Sequence, residues 1–166
     1  MRKNVSFAVA LMILCWLVLF AAVAAQNQQS APADHGIFTP AAIQWKDGPA
    51  ALPPGAKLAV LEGDPAKEGP FTIRLSWPAG YKVPPHWHPN IEHTTVISGT
   101  INLGLGDKFD ETKGNKLPAG SFSFVPPKTH HFFWTDEEGC VLQVHAIGPW
   151  GIVYLNPADD PRQAKK

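Results

Sequence analysis

The stretch Pro84-Pro85-His86-Trp87-His88-Pro89-Asn90-Ile91-Glu92-His93 decides how this chain is read. It gathers three of the seven histidines and a glutamate between two proline-marked turns. His86 and His88 are two apart, and in an extended segment alternate side chains share a face, about 6.6 Å apart along the strand. Two imidazoles so placed can lean toward one ion at about 2.0–2.1 Å. Glu92 has the same parity but follows Pro89-Asn90, where a turn would let it fold back and offer a carboxylate oxygen. His93 has the opposite parity and should point elsewhere. On these residues alone two readings stand: a metal site, or polar decoration of a turn.

Short β-type runs surround this stretch. KLAVLEG, FTIRLSW, HTTVISGTINLGLG, SFSFV, HHFFW, CVLQVHAIG and WGIVYL recur between Pro and Gly punctuation. Closely spaced runs rich in valine, isoleucine, threonine and aromatic residues predict an all-β sandwich or barrel. The 17 prolines agree, since proline suits edges and turns rather than helix interiors. DKFDETKG reads as one helical turn or as an excursion between strands. No internal repeat points to a second barrel, so one small β-barrel is expected. Pro78-Ala79-Gly80, Pro118-Ala119-Gly120 and Ile97-Ser98-Gly99 mark expected tight reversals, where glycine takes positive φ without a Cβ clash.

The ends read differently. Arg2 and Lys3 precede an apolar run from Val5 to Phe20, and small residues follow in AAVAAQ. This pattern predicts a secretory signal over 1–25, cleaved near Ala24 or Ala25. The rival is an uncleaved anchor, since Val5 to Ala25 is long enough to span a bilayer, which needs about 20 residues. Residues 26–36 then form a flexible lead-in, 37–157 the barrel, and 158–166 a polar tail. A periplasmic or secreted location follows, with membrane association only if the signal stays. The mature chain, about 140 residues, is one domain in size. Without Arg2 and Lys3 it carries 12 basic against 14 acidic residues, a balance that attracts neither nucleic acid nor anionic lipid. Cys140 is its one cysteine, so no internal disulfide forms, and it reads as a small buried hydrophobe.

A second set of spacings completes the pattern. Five residues separate Gly80 from His86-Trp87-His88, three more lead to Glu92, and six more to Gly99. Downstream, five residues separate Gly120 from Pro126, and His131 stands five beyond that proline. Together these resemble the two motifs of the cupin superfamily, over roughly Ala56 to Tyr154. Two positions depart from the family pattern: Lys128 stands where a glycine is usual, and Thr135 where an asparagine is. The resemblance implies a single jelly-roll barrel with ligands projecting into its interior. It also implies a metal held by His86, His88, Glu92 and His131. Family spacing selects His131 over His130, and strand alternation then turns His130 away from the ion with Phe132 and Trp134.

Imidazole and carboxylate suit iron, manganese, nickel, copper and zinc alike. Export of an unfolded chain would favour zinc, manganese or copper over labile iron(II). Other candidates carry less. Gln143 and His145 share a parity and would line the pocket if their face looks inward, His145 as a proton carrier; a hydrogen-bonded structural histidine is the rival reading. Trp87, Phe132 and Trp134 adjoin motif positions, as an aromatic pocket or as barrel packing. Trp77 and Trp150 have no functional argument. The resemblance thus implies a small exported metalloenzyme acting on an organic oxygen ligand, dioxygenase- or decarboxylase-like, with Glu92 as ligand or base. Flavonol dioxygenases and oxalate decarboxylases are family members with this ligand set. The alternative is a non-catalytic sensor barrel, as in cupin domains attached to some anti-sigma factors. A small-molecule partner is expected in either case, and a homodimer is conceivable.

Overall fold

A computed structural model describes residues 35–163. The chain divides into two units, Met1–His35 and Gly36–Lys166, and the second carries the fold. The expected signal, its cleavage point and most of the lead-in lie outside the described residues.

Ten strands follow in order: β1 (Lys46–Asp47), β2 (Lys57–Glu62), β3 (Gly69–Trp77), β4 (Lys82–Trp87), β5 (Glu92–Leu105), β6 (Gly114–Pro118), β7 (Phe122–Val125), β8 (His131–Trp134), β9 (Cys140–Gly148) and β10 (Val153–Tyr154). All pairings are antiparallel, and they close into two leaves. One leaf runs β1-β2-β3-β9-β5-β7 and the other β10-β4-β8-β5-β6. β5 belongs to both: His93 to Gly99 pairs with β9, and Asn102 to Leu105 pairs with β8. This is the all-β jelly-roll barrel that the runs and the motif resemblance imply.

The strands alternate as a half-buried sheet requires. Phe71, Ile73, Leu75 and Trp77 of β3 and Leu142, Val144 and Ala146 of β9 point inward, and they meet Val83, Val96, Ile101 and Phe133 in one core. Ile97-Ser98-Gly99 differs from the expected reversal. β5 continues through it, with a register shift against β9 between Val96 and Ser98. The bend there passes the strand from one leaf to the other. Gly99 sits at φ 71°, and a Cβ would lie 2.1 Å from the Gly139 carbonyl oxygen. Only glycine tolerates both the dihedral and the contact.

β8 is buried on both faces, unlike the others. Its outer side chains, Phe132 and Trp134, lie under Phe109, with ring centres 5.0 and 5.7 Å away. Phe109 comes from DKFDETKG, which is both things expected of it: an excursion between β5 and β6 that holds a single 3-10 turn, Glu111–Lys113. Gly104 and Gly114 make the room, since a Cβ on either would fall within 2.2 Å of the Phe132 or Trp134 ring. Phe132 and Trp134 therefore pack the outside of the barrel rather than a ligand pocket. Cys140 is buried and free, and burial pushes its thiol up to about 12. At the C-terminal end, Pro157–Asp159 form a 3-10 turn and Arg162 donates to the Ile152 carbonyl. Among the described residues no helix is long and apolar enough to cross a membrane.

Candidate metal centre

Three elements bring the histidines together. His86 is near the end of β4, His88 just beyond it, and His131 opens β8 directly opposite His86. Pro84 and Pro85 lack the N–H groups a ladder needs, so β4 pairs with β8 at Lys82 and Val83, slips, and pairs again at His86. After β7, the turn at Pro126–Thr129 steers the chain into β8. Thr129 N donates to Pro126 O at 3.2 Å and Lys128 N donates to His88 O at 2.9 Å. Lys128 takes φ 61°, the one non-glycine residue with positive φ among the described residues. With Pro127 before it, the turn keeps the form of a type II turn, which favours glycine at this position. The lysine thus adopts the glycine conformation, and the register of β8 is unshifted. His131 faces inward and is fully buried, while His130 turns outward and pairs its Nδ1 with Asp107 at 2.7 Å.

One candidate ligand nitrogen from each of His86, His88 and His131 lies within 4.8 Å of the others. All three rings are held from behind. His86 Nδ1 lies 2.7 Å from Pro84 O, His88 Nδ1 2.7 Å from Gly151 O, and His131 Nδ1 2.9 Å from Thr129 O. A carbonyl oxygen only accepts, so each Nδ1 carries the proton and each neutral ring keeps its Nε2 lone pair. Imidazole ligands in metal sites are oriented in this way. Glu92, the first residue of β5, stands beside the cluster with Oε2 3.3 Å from His131 Nε2 and 3.9 Å from His88 Nε2. Neither Glu92 Oε2 nor His131 Nε2 has a hydrogen-bond partner, although both are buried. The 3.3 Å approach is therefore a meeting of a carboxylate oxygen and a lone pair. Two buried acceptors face to face require a cation between them, a proton or a metal ion. Three imidazoles and a carboxylate fit a divalent transition ion on that ground.

The electrostatics agree. Burial, with the neighbouring His131 and His88, holds His86 well below its ordinary value of 6.5. Burial likewise lowers His88, partly offset by Glu92. Burial raises the Glu92 carboxyl, but His88, His131 and His93 together outweigh it and leave it below the ordinary carboxylate range. At neutral pH His86 and His88 are thus neutral imidazoles beside a carboxylate, the protonation states a metal needs.

A cavity of about 220 Å³ opens from the cluster into the barrel. Ile73, Leu75, Val83, Phe133, Val144 and Ile152 give it apolar walls, with His86, His88 and Glu92 at its polar end. Trp150 lines it too, stacked on His88 at 4.2 Å between ring centres with 16° between planes. Neither Trp150 nor the Gly151 carbonyl was signalled by any motif spacing; a Gly-Pro-Trp-Gly turn after β9 was the one local sign. Trp77 also lines the cavity, and its buried Nε1 has no partner. Gln143 and His145 do not line it. The inward parity of β9 belongs to Leu142, Val144 and Ala146, so both residues face outward, where Gln143 accepts from Arg74 and His145 is exposed. Thr135, in the place of the family asparagine, is buried; it accepts from Tyr81 N and donates to Pro78 O, tying β8 to the turn before β4.

Residues 34–148 match the family model described as the ChrR cupin-like domain. No curated protein matches. Among solved structures, the chain is similar to the polyketide cyclase RemF from Streptomyces resistomycificus, at 16% identity and TM-score 0.62, over 78% of this chain and 92% of that one. It is similar to a putative acetylacetone dioxygenase from Methylibium petroleiphilum PM1, at 17% identity and TM-score 0.59, over 81% and 90%. An RmlC-like cupin from Shewanella frigidimarina NCIMB 400 gives 19% identity and TM-score 0.54, over 69% and 91%. At these identities the likeness is one of fold.

Proposed function

The chain belongs to the ChrR cupin-like family, and from that premise we propose that it is an exported metal-dependent cupin acting on a small organic oxygen ligand. The observation that carries this reading is the convergence of three buried imidazoles, each with its Nδ1 fixed on a carbonyl. A divalent ion held by His86, His88, His131 and Glu92 supplies Lewis-acid chemistry, and redox chemistry if it is iron, manganese or copper. The chain's own residues do the rest. The carbonyls of Pro84, Thr129 and Gly151 keep the rings aimed, and the apolar walls exclude water. Glu92, ionised at neutral pH, is either a ligand of that ion or, swung off it, the base that accepts a proton from an enolisable substrate.

The cavity limits the substrate. Its volume of about 220 Å³ is below the range of about 300–1,000 Å³ that holds drug-sized ligands. Small enediols, β-dicarbonyls and short dicarboxylates therefore come before flavonols. The structures with this fold include a putative acetylacetone dioxygenase, which supports beginning with such compounds. Export rests on Arg2 and Lys3, the apolar run and the alanine-rich end.

The test is metal analysis of protein recovered from its native compartment, then oxygen-uptake and product assays with that metal on small enolisable carbonyl compounds. Turnover abolished by His86→Ala supports the enzyme. Ligand binding without turnover across the panel moves the assignment to a non-catalytic sensor barrel. N-terminal sequencing that returns Met1 from the exported fraction would replace the cleaved signal with an anchor.

A further inference from the structure

The outer face of the first leaf carries a second pair of histidines that the interior site does not use. His93 on β5 stands opposite His145 on β9, His145 opposite Thr72 on β3, and Thr72 opposite Glu62 on β2. Four adjacent strands thus set Glu62, Thr72, His145 and His93 in one row. Thr72 Oγ1 donates to Glu62 Oε2 at 3.2 Å and lies 3.0 Å from His145 Nδ1. A hydroxyl has one hydrogen, here given to the carboxylate, so toward the imidazole it accepts. His145 Nδ1 therefore carries a proton, and Nε2 keeps its lone pair on the exposed side chain. The carboxylate acting through Thr72 makes that ring a better donor to an ion, as outer-shell partners do.

His93 is the second arm. Its ring stacks against Phe122 with centres 6.0 Å apart and 18° between planes, and its centre lies 6.4 Å from that of His145. Its Nδ1 is buried and has no hydrogen-bond partner, a condition that native structures rarely leave uncorrected. A metal–imidazole bond of about 2.0–2.1 Å puts each ring centre about 3 Å from the ion, so two rings bridge about 6 Å. The observed separation of 6.4 Å is slightly longer than two such arms in line, so the rings must rotate toward each other to share an ion.

We propose that His93 and His145 form a second, shallow site for a divalent transition ion on the outer face of the barrel, with Thr72 and Glu62 fixing the His145 tautomer. Two imidazoles and water make a weaker and less selective donor set than the interior one, so the site follows the general order of stability and takes Cu²⁺ ahead of Ni²⁺ and Zn²⁺. β5 alternation sets the two sites back to back: Glu92 points inward and His93 outward.

The test is titration of the full chain with Cu²⁺, followed by calorimetry and native mass spectrometry. Wild type should bind two equivalents as a monomeric unit. His93→Gln and His145→Gln should each bind one, and His131→Ala should keep the outer one. Thr72→Val should weaken the outer step by about 10–100-fold without abolishing it. A single wild-type equivalent that His131→Ala abolishes overturns the site, as does a second equivalent retained by His145→Gln. A single equivalent that His131→Ala keeps and His145→Gln loses upholds the outer site and removes the interior one. An ion shared between two copies, seen as half an equivalent with doubled mass, also overturns it. If the variants fold poorly, wild type saturated at the interior with Zn²⁺ and then given Cu²⁺ should show NMR broadening first at His93 and His145. Broadening centred elsewhere refutes the assignment.

Discussion

At the scale of single residues, the adjacent pair His130-His131 separates a ligand from a bystander. His131 is fully buried with its Nε2 unpartnered, and His130 is half-exposed against Asp107. His131→Ala should therefore lose far more metal affinity than the 10–100-fold typical of an outer-shell partner, while His130→Ala keeps it; metal titration in parallel checks the order. Lys128 offers a test of the turn itself. A side chain held at φ 61° carries a steric penalty of about 1–2 kcal/mol that glycine avoids, set against the greater chain entropy glycine loses on folding. Lys128→Gly should raise the melting temperature by a few degrees and leave metal binding unchanged, since His131 is already in register. What was legible here was whatever parity and spacing fix, namely the ligands and the side they face. Trp150 was not legible. Its stacking on His88 depends on the path of the chain after β9, which no local periodicity encodes. The orientation of His145 was open for a related reason, since alternation gives two faces and only the tertiary fold says which is inside.

At the scale of elements, most strands followed from β-branched and aromatic runs. β1, β4 and β6 did not: KD, KVPPHW and GNKLP lack that composition and are strands because β2, β8 and β5 pair with them. β5 was legible as a run but not as one continuous strand, because the Gly99 bend looks like a turn from sequence alone. β8 ties element to site, since the packing of its outer face sets the position of its inner one. Gly104→Ala would drive a Cβ to 2.2 Å from the Phe132 ring, an overpacking that costs about 1–3 kcal/mol. Because Phe132 and His131 are neighbours on β8, metal affinity should fall together with stability. Denaturant unfolding alongside metal titration checks this, and an unchanged affinity would mean that β8 is positioned by the β4 pairing instead.

At the scale of the molecule, a barrel that buries three histidines and a carboxylate ties its stability to pH. His86 and His88 lie below their ordinary value of 6.5, so as pH falls through that value the unfolded chain takes up protons that the folded chain refuses. Stability is then full above about pH 6.5 and is lost as pH falls toward the lowered folded values; Glu92, also lowered, adds the same sign further down. Metal-free protein should melt at a lower temperature at pH 5.5 than at pH 7.5, and His86→Gln should flatten that slope, both measurable by calorimetry on chelator-treated samples. Metal should in turn protect the fold, because ligand binding to the native state stabilises it by mass action. The interior metal centre is tested most directly by anomalous diffraction from crystals of the metal-loaded protein. An anomalous peak bonded to Nε2 of His86, His88 and His131 at about 2.0–2.2 Å is the predicted result; saturating metal with no peak among those three nitrogens would contradict the account.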